Sequence, residues 1–151
     1  MTTILATKLH HPALTEKLVQ RPALTRRLNE GLQAGRLLTL VSAPAGFGKT
    51  TCVSEWLRGL NMPFTWLSLD KADNDPERFL AYLIAALQKI DPNIGLELSS
   101  MLASGQIPAA ESGVASLVND ILQTGSSFLL ILDDFHLIQD SLILAWMEQL
   151  I

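Results

Sequence analysis

Apolar residues recur four positions apart in Leu24, Leu28 and Leu32, behind Pro22 and ahead of Gly35. That spacing predicts an amphipathic helix that the proline opens and the glycine stops. The period then changes. Leu37-Leu38-Thr39-Leu40-Val41 is apolar almost throughout, the pattern of a short strand buried on both faces. A glycine-containing loop comes next, and Lys49 to Leu57 reads as the helix it opens. Phe64 to Leu69 (FTWLSL) predicts a second strand. Asp75 as N-cap and Pro76 in the first turn start a helix through Phe79, Leu80, Leu83, Ile84, Leu87 and Ile90, which Asp91-Pro92-Asn93 ends. Residues 93–110 are small and polar with scattered apolar positions, and read as loop with a possible short helix. Ala109 to Thr124 carries Val114, Leu117, Val118, Ile121 and Leu122 on one helical face, with Gly125 as its stop. Ser127 to Leu132 is a third strand ending at Asp133-Asp134, and Ser141 to Ile151 is a last helix.

Strands alternating with helices in this way predict an α/β fold, a parallel sheet covered by helices. The division expected is residues 1–36 as an N-terminal segment and helix leading into a core at residues 37–151. The 151 residues suffice for one domain with a real core. No apolar run approaches a membrane span, and Met1 to His11 lacks the apolar centre and cleavage site of a signal peptide. A single cysteine, Cys52, excludes an internal disulfide framework and a cysteine-based zinc cluster. A cytoplasmic protein without membrane contact is expected. Charge divides unevenly. Residues 1–89 hold all eleven Lys and Arg against seven acids, whereas residues 90–151 hold eight acids and no Lys or Arg. The second part cannot hold a nucleic-acid backbone by counterion release, and no basic DNA-reading helix is visible. Direct DNA contact from these residues is not expected.

The loop is SAPAGFGKTT, Ser42 to Thr51. It fits the P-loop (Walker A) template Gly-x-x-x-x-Gly-Lys-Ser/Thr at Gly48, Lys49 and Thr50, with Gly46 as an extra glycine and Ala43 where the first glycine is usual. Backbone N–H groups that turn inward around a phosphate force some residues to positive φ and leave no room for side chains. The helix that begins at Lys49 adds its positive end to the same anion. The alternative is a glycine-rich turn that happens to contain a lysine. Gly-x-Gly-Lys-Ser/Thr arises by chance in roughly one chain of this length in two hundred at ordinary residue frequencies, so the phosphate reading is preferred. The expected nucleotide contacts are Ala43, Pro44, Ala45, Gly46, Phe47, Gly48, Lys49, Thr50 and Thr51. Lys49 would reach the β- and γ-phosphates, Thr50 would give its hydroxyl to Mg²⁺ and Thr51 would touch the α-phosphate.

The stretch FLLILDDFH brings a carboxylate to the carboxyl edge of a sheet, where ligands of α/β folds collect. Read as a Walker B strand, it assigns Asp133 to Mg²⁺ opposite Thr50, and Asp134 to orienting or deprotonating an attacking water. Other signals are weaker. Asp70, Asp73, Asp75 and Glu77 miss the spacing of a calcium loop, and helix capping accounts for Asp75. His10, His11 and His136 complete no ligand set and read as solvated or capping residues. Trp56, Trp66 and Trp146 lie in apolar patterns as core or interface residues, and Cys52 reads as a small packing residue.

TKLHHPALTEKLVQRPALTRRL, LTLVSAPAGFGKTT, TWLSLDKADNDPERFLAYLIAAL and LLILDDFHLI together resemble the nucleotide-binding region of MalT-like transcriptional regulators, running from Thr7 to about Ile138. These are LuxR-type activators of the STAND class, signal-transduction NTPases with numerous domains. The resemblance implies a switch between an ADP-bound resting form and an ATP-bound form that self-associates, with weak ATPase activity in the complete protein. It also implies a winged-helix module, a helical-repeat sensor and a C-terminal helix-turn-helix outside these residues. VQRPAL matches the place where related NTPases cover the nucleotide base, which makes Arg21 a candidate contact. In that class a further strand with a polar sensor residue lies between the P-loop strand and the acidic strand. Neither it nor the arginine that senses the γ-phosphate is found here, so the chain is expected to be part of a larger protein. The alternatives are a stand-alone P-loop ATPase or small-molecule kinase, and an inactive truncated product. A kinase should show an arginine-bearing lid, and no Lys or Arg comes after Lys89.

Overall fold

The computed structural model describes residues 4–13 and 21–151. They separate into two compact units, one formed by residues 4–10 and 62–150 and the other by residues 11–13 and 21–61 with Ile151.

The larger unit is built on a parallel pair of strands, β1 (Phe64–Ser68) and β2 (Leu129–Asp133). The register runs from Phe64 opposite Leu129 to Ser68 opposite Asp133. Parallel neighbours need a crossover, and here three helices supply it: α3 (Pro76–Leu87), α4 (Leu96–Ala103) and α5 (Ala110–Gln123). Helix α6 (Ser141–Leu150) comes after β2 and packs on α5. The core centres on α3, whose Phe79, Tyr82, Leu83 and Leu87 are almost wholly buried with Leu67, Ile94, Leu98 and Ile143. The buried Thr65 hydroxyl donates to the Ala86 carbonyl oxygen at 2.7 Å, which ties β1 to α3 without leaving a polar group unsatisfied. Asp75 caps α3 by accepting from the Arg78 N–H, as the Asp-Pro pair predicts. The 93–110 stretch, read as loop with a possible short helix, contains the two-turn α4. Its positive-φ entry at Gly95 is held by Asp120 Oδ2, which accepts the Gly95 N–H at 2.8 Å.

Residues 4–9 belong to this unit and include a 3₁₀ turn, Ala6–Leu9. The Leu5 N–H donates to the Tyr82 hydroxyl at 3.1 Å, and Lys89 Nζ donates to the Leu9 carbonyl oxygen. No helix among the described residues is long and apolar enough to cross a membrane.

The smaller unit contains α1 (Pro22–Gln33) and α2 (Lys49–Arg58), joined by an irregular segment. Trp56 Nε1 donates to Asn29 Oδ1 at 2.7 Å across the two helices. One sequence expectation fails here. Leu37–Val41 forms no strand, and Leu37 and Leu40 are 85% and 84% exposed. An apolar run becomes a buried strand only where neighbouring strands take up its N–H and C=O groups; the described sheet contains β1 and β2 alone. The acidic strand also begins two residues and ends one residue later than expected, and all five of its residues are only half-buried. The three tryptophans and Cys52 are buried, as their patterns predicted.

Candidate functional site

The glycine loop leads directly into α2. Gly46 and Gly48 take φ of 81° and 73°, a left-handed backbone that costs an ordinary L-residue about 1–2 kcal/mol. Crowding is not what selects glycine. A Cβ at Gly46 would meet nothing within 4 Å, and one at Gly48 would stand 3.8 Å from Arg21 Nη2. The constraint is chirality. Gly48 is the N-cap of α2, and its carbonyl oxygen accepts the Cys52 N–H at 2.9 Å. The amide-rich, positive end of α2 therefore opens onto the loop.

Lys49 folds back over the loop, donating to the Ala43 and Pro44 carbonyl oxygens at 2.7 and 3.2 Å. It forms no salt bridge among the described residues, so its charge meets carbonyl dipoles and no carboxylate. Pro44, Ala45, Gly46 and Phe47 are exposed, while Ala43, Gly48, Lys49, Thr50 and Thr51 are half-buried. Arg21 immediately precedes α1 and brings its guanidinium beside Gly48. The same charge is felt by Cys52: burial pushes that thiol's pKa up, with Arg21 opposing and Glu55 adding to the rise. Val19 and Gln20, which share the proposed base-covering segment with Arg21, lie outside the described residues. Two left-handed glycines, a helix N-terminus and two cations make a concentration of positive potential suited to a polyanion of phosphate type.

In the larger unit, β2 delivers Asp133 to its carboxyl end, where the Asp133 carbonyl oxygen accepts the Leu69 N–H at 3.0 Å. Asp133 Oδ1 accepts the next amide, that of Asp134, at 3.1 Å. Asp134 has φ of 58° and is the positive-φ non-glycine residue among those described. Aspartate tolerates this conformation better than most residues, and such positions concentrate at functional sites. The Asp134 side chain is about half exposed, 3.7 Å from His136 Nδ1. His136 itself is exposed, and His10 Nδ1 is hydrogen-bonded to the Ala6 carbonyl oxygen, in keeping with solvated or local roles.

Sequence reasoning missed the polar cluster just after β1. Asp73 is fully buried, although the sequence pattern only excludes a calcium loop in this stretch and gives Asp73 no role. Its carboxylate accepts from Arg78 Nε and from the Asp70 N–H, each at 2.8 Å, and pairs with Lys8. Lys8 also reaches Asp70 at 2.8 Å, and its hydrogen bond holds that carboxyl below its usual range. Lys8 and Arg78 both lie over the Tyr82 ring, 4.8 and 5.3 Å from its centre. A buried carboxylate is tolerable only with such partners. Arg78 is close enough in the chain to be suspected; Lys8, sixty-five residues away, leaves no sequence signal.

No family model matches the chain. It is similar to curated proteins described as HTH-type transcriptional regulator MalT. Identity is 36% to that of Klebsiella pneumoniae (strain 342), 35% to that of Serratia proteamaculans and 34% to that of Cronobacter sakazakii. Each match runs over 140 residues, 93% of this chain, and the chain spans about 15% of the length of these relatives.

Proposed function

The chain carries a MalT-like transcriptional-regulator region, and from that premise we propose that it is the nucleotide-binding switch part of such a regulator. The fold assigned in this reading is that of a P-loop NTPase of the STAND class, and the ligand is ATP or ADP with Mg²⁺. The observation that carries it is the pair of left-handed glycines, Gly46 and Gly48, at the start of α2 with Lys49 as the first helical residue.

The loop backbone from Ala43 to Gly48 would wrap the β-phosphate. Lys49 would exchange its two carbonyl partners for phosphate oxygens, a trade of dipole contacts for charge-assisted ones. Arg21, already beside Gly48, would cover the nucleotide from the α1 side. Thr50 and Thr51 would contribute hydroxyls to Mg²⁺ and the α-phosphate. Mg²⁺, when bound, would neutralise phosphate charge and orient the γ-phosphate. The assignment of Asp133 to Mg²⁺ and of Asp134 to the attacking water rests on the sequence pattern. The switch would control self-association of the complete regulator, with DNA contact made by residues beyond this region, in the cytoplasm.

Titration calorimetry with Mg-ATP and Mg-ADP tests the reading. Lys49→Ala removes a charge-assisted contact of roughly 1.5–3 kcal/mol, about one to two decades of affinity. Equal affinity in wild type and a Lys49→Ala chain shown to be folded by circular dichroism refutes it.

A further inference from the structure

Asn74 ends the 3₁₀ turn Lys71–Asn74 that leaves β1, and its side chain spends both of its functional groups on one distant segment. Nδ2 donates to the Leu137 carbonyl oxygen at 2.7 Å, and also to that of Lys71 at 3.2 Å. Oδ1 accepts the N–H groups of Gln139 and Asp140 at 2.6 and 3.1 Å. Three backbone groups in four residues are thus held by one amide. An amide carries a donor and an acceptor side by side, so neither an acid nor an amine of the same size could make this set.

Both ends of the latch are anchored. On its own side, the Asp70–Asp73 capping box and the buried Asp73–Arg78 pair fix the 3₁₀ turn. On the other, Asp140 starts α6 by accepting the N–H groups of Leu142 and Ile143 at 2.9 and 3.1 Å. The held segment continues directly from β2: Asp133 at the strand end, Asp134 in a left-handed conformation, then the turn Phe135–Leu137. The left-handed state of a non-glycine residue persists only where its surroundings over-determine it. Here β2 pairing fixes one flank, and Asn74 fixes the other three residues on.

We propose that Asn74 is a positioning residue for the Asp133-Asp134 carboxylates, fixing the turn that follows them, as their reading as Mg²⁺-serving acids requires. This rests on the reading of Asp133 as the Mg²⁺-serving acid. Outer contacts that orient metal-serving groups usually matter about 10-fold or more in affinity or activity.

The test measures two things on the whole chain: amide hydrogen exchange across residues 134–140, and binding of a fluorescent ATP analogue with Mg²⁺ or with EDTA. Asn74→Ala should speed exchange at Gln139, Asp140 and Asp134. It should cut the Mg²⁺-dependent gain in affinity about 10-fold, with affinity in EDTA unchanged. Asn74→Asp keeps the acceptor and loses the donor, and should fall between. Faster exchange with an undiminished Mg²⁺ gain makes Asn74 merely structural and overturns the proposal. So does unchanged exchange in Asn74→Ala. A wild-type chain that binds nucleotide equally with Mg²⁺ or EDTA overturns the Asp133 reading itself and the positioning role with it.

Discussion

Asp73→Ala removes a carboxylate with no solvent exposure and strands three partners at once: Lys8, Arg78 and the Asp70 N–H. Breaking a buried ion pair from one side costs about 3–5 kcal/mol, because the remaining charge stays desolvated. Relief is partial here. Lys8 keeps Asp70, and Arg78 is 29% exposed and can turn to water. The lower end, about 3 kcal/mol, is therefore expected. Asp73→Asn preserves the acceptor for the Asp70 N–H and loses only the charge. About 2 kcal/mol is expected for it, the scale of a hydrogen bond to an ionised group. The larger unit spans the described residues 4–10 and 62–150. For a unit of about 100 residues each kcal/mol moves the melting temperature by about 4–8 °C. The alanine variant should then melt at least about 12 °C lower. Trp66 and Trp146 are buried in this unit and Trp56 in the other, so fluorescence in a Trp56→Phe background reports the relevant transition. The same variant should expose residues 4–9 to proteolysis, since Lys8 is their ionic anchor. A shift below about 4 °C would mean that the pairing of Asp73 with Lys8 and Arg78 contributes little.

Asp70, with its pKa lowered by Lys8, contributes stability that is complete above the unfolded carboxyl value of 3.8 and is lost as pH falls through the lower folded value. Melting temperature should thus decline below about pH 4, and Asp70→Asn, which keeps the cap to Ala72, should flatten that decline; parallel profiles would remove Asp70 from the account. The exposed run at Leu37, Leu38 and Leu40 should drive association. Sedimentation should show the isolated chain forming larger species and a Leu37→Ser, Leu40→Ser variant shifting toward monomer; a monomeric wild type at tens of micromolar would refute this.

What the chain reveals by itself is whatever depends on neighbours in sequence. The left-handed glycines and the helix opening at Lys49 arise from a local conflict between Cβ and backbone, so Gly46-Phe47-Gly48-Lys49 is legible without a structure. Asp75-Pro76 opens α3 for the same kind of reason, a side chain reaching an amide three residues on. The α/β alternation and the existence of the strands FTWLS and LLILD were also legible, because both are short apolar-rich runs between helical patterns; that the two pair with each other was not. The same rule misjudged Leu37–Val41. Apolarity shows that a segment can be a buried strand, but only partners on either side make it one, and pairing is a property of the assembled sheet. Tertiary structure alone decided the fate of the polar residues after β1. Asp73 could be solvated or buried until Lys8 arrives from sixty-five residues away, and Asn74 is an ordinary turn residue until the backbone of Leu137, Gln139 and Asp140 comes within hydrogen-bond reach. Desolvation makes such partners obligatory without specifying where in the chain they lie, which is why periodicity and motif spacing could not find them.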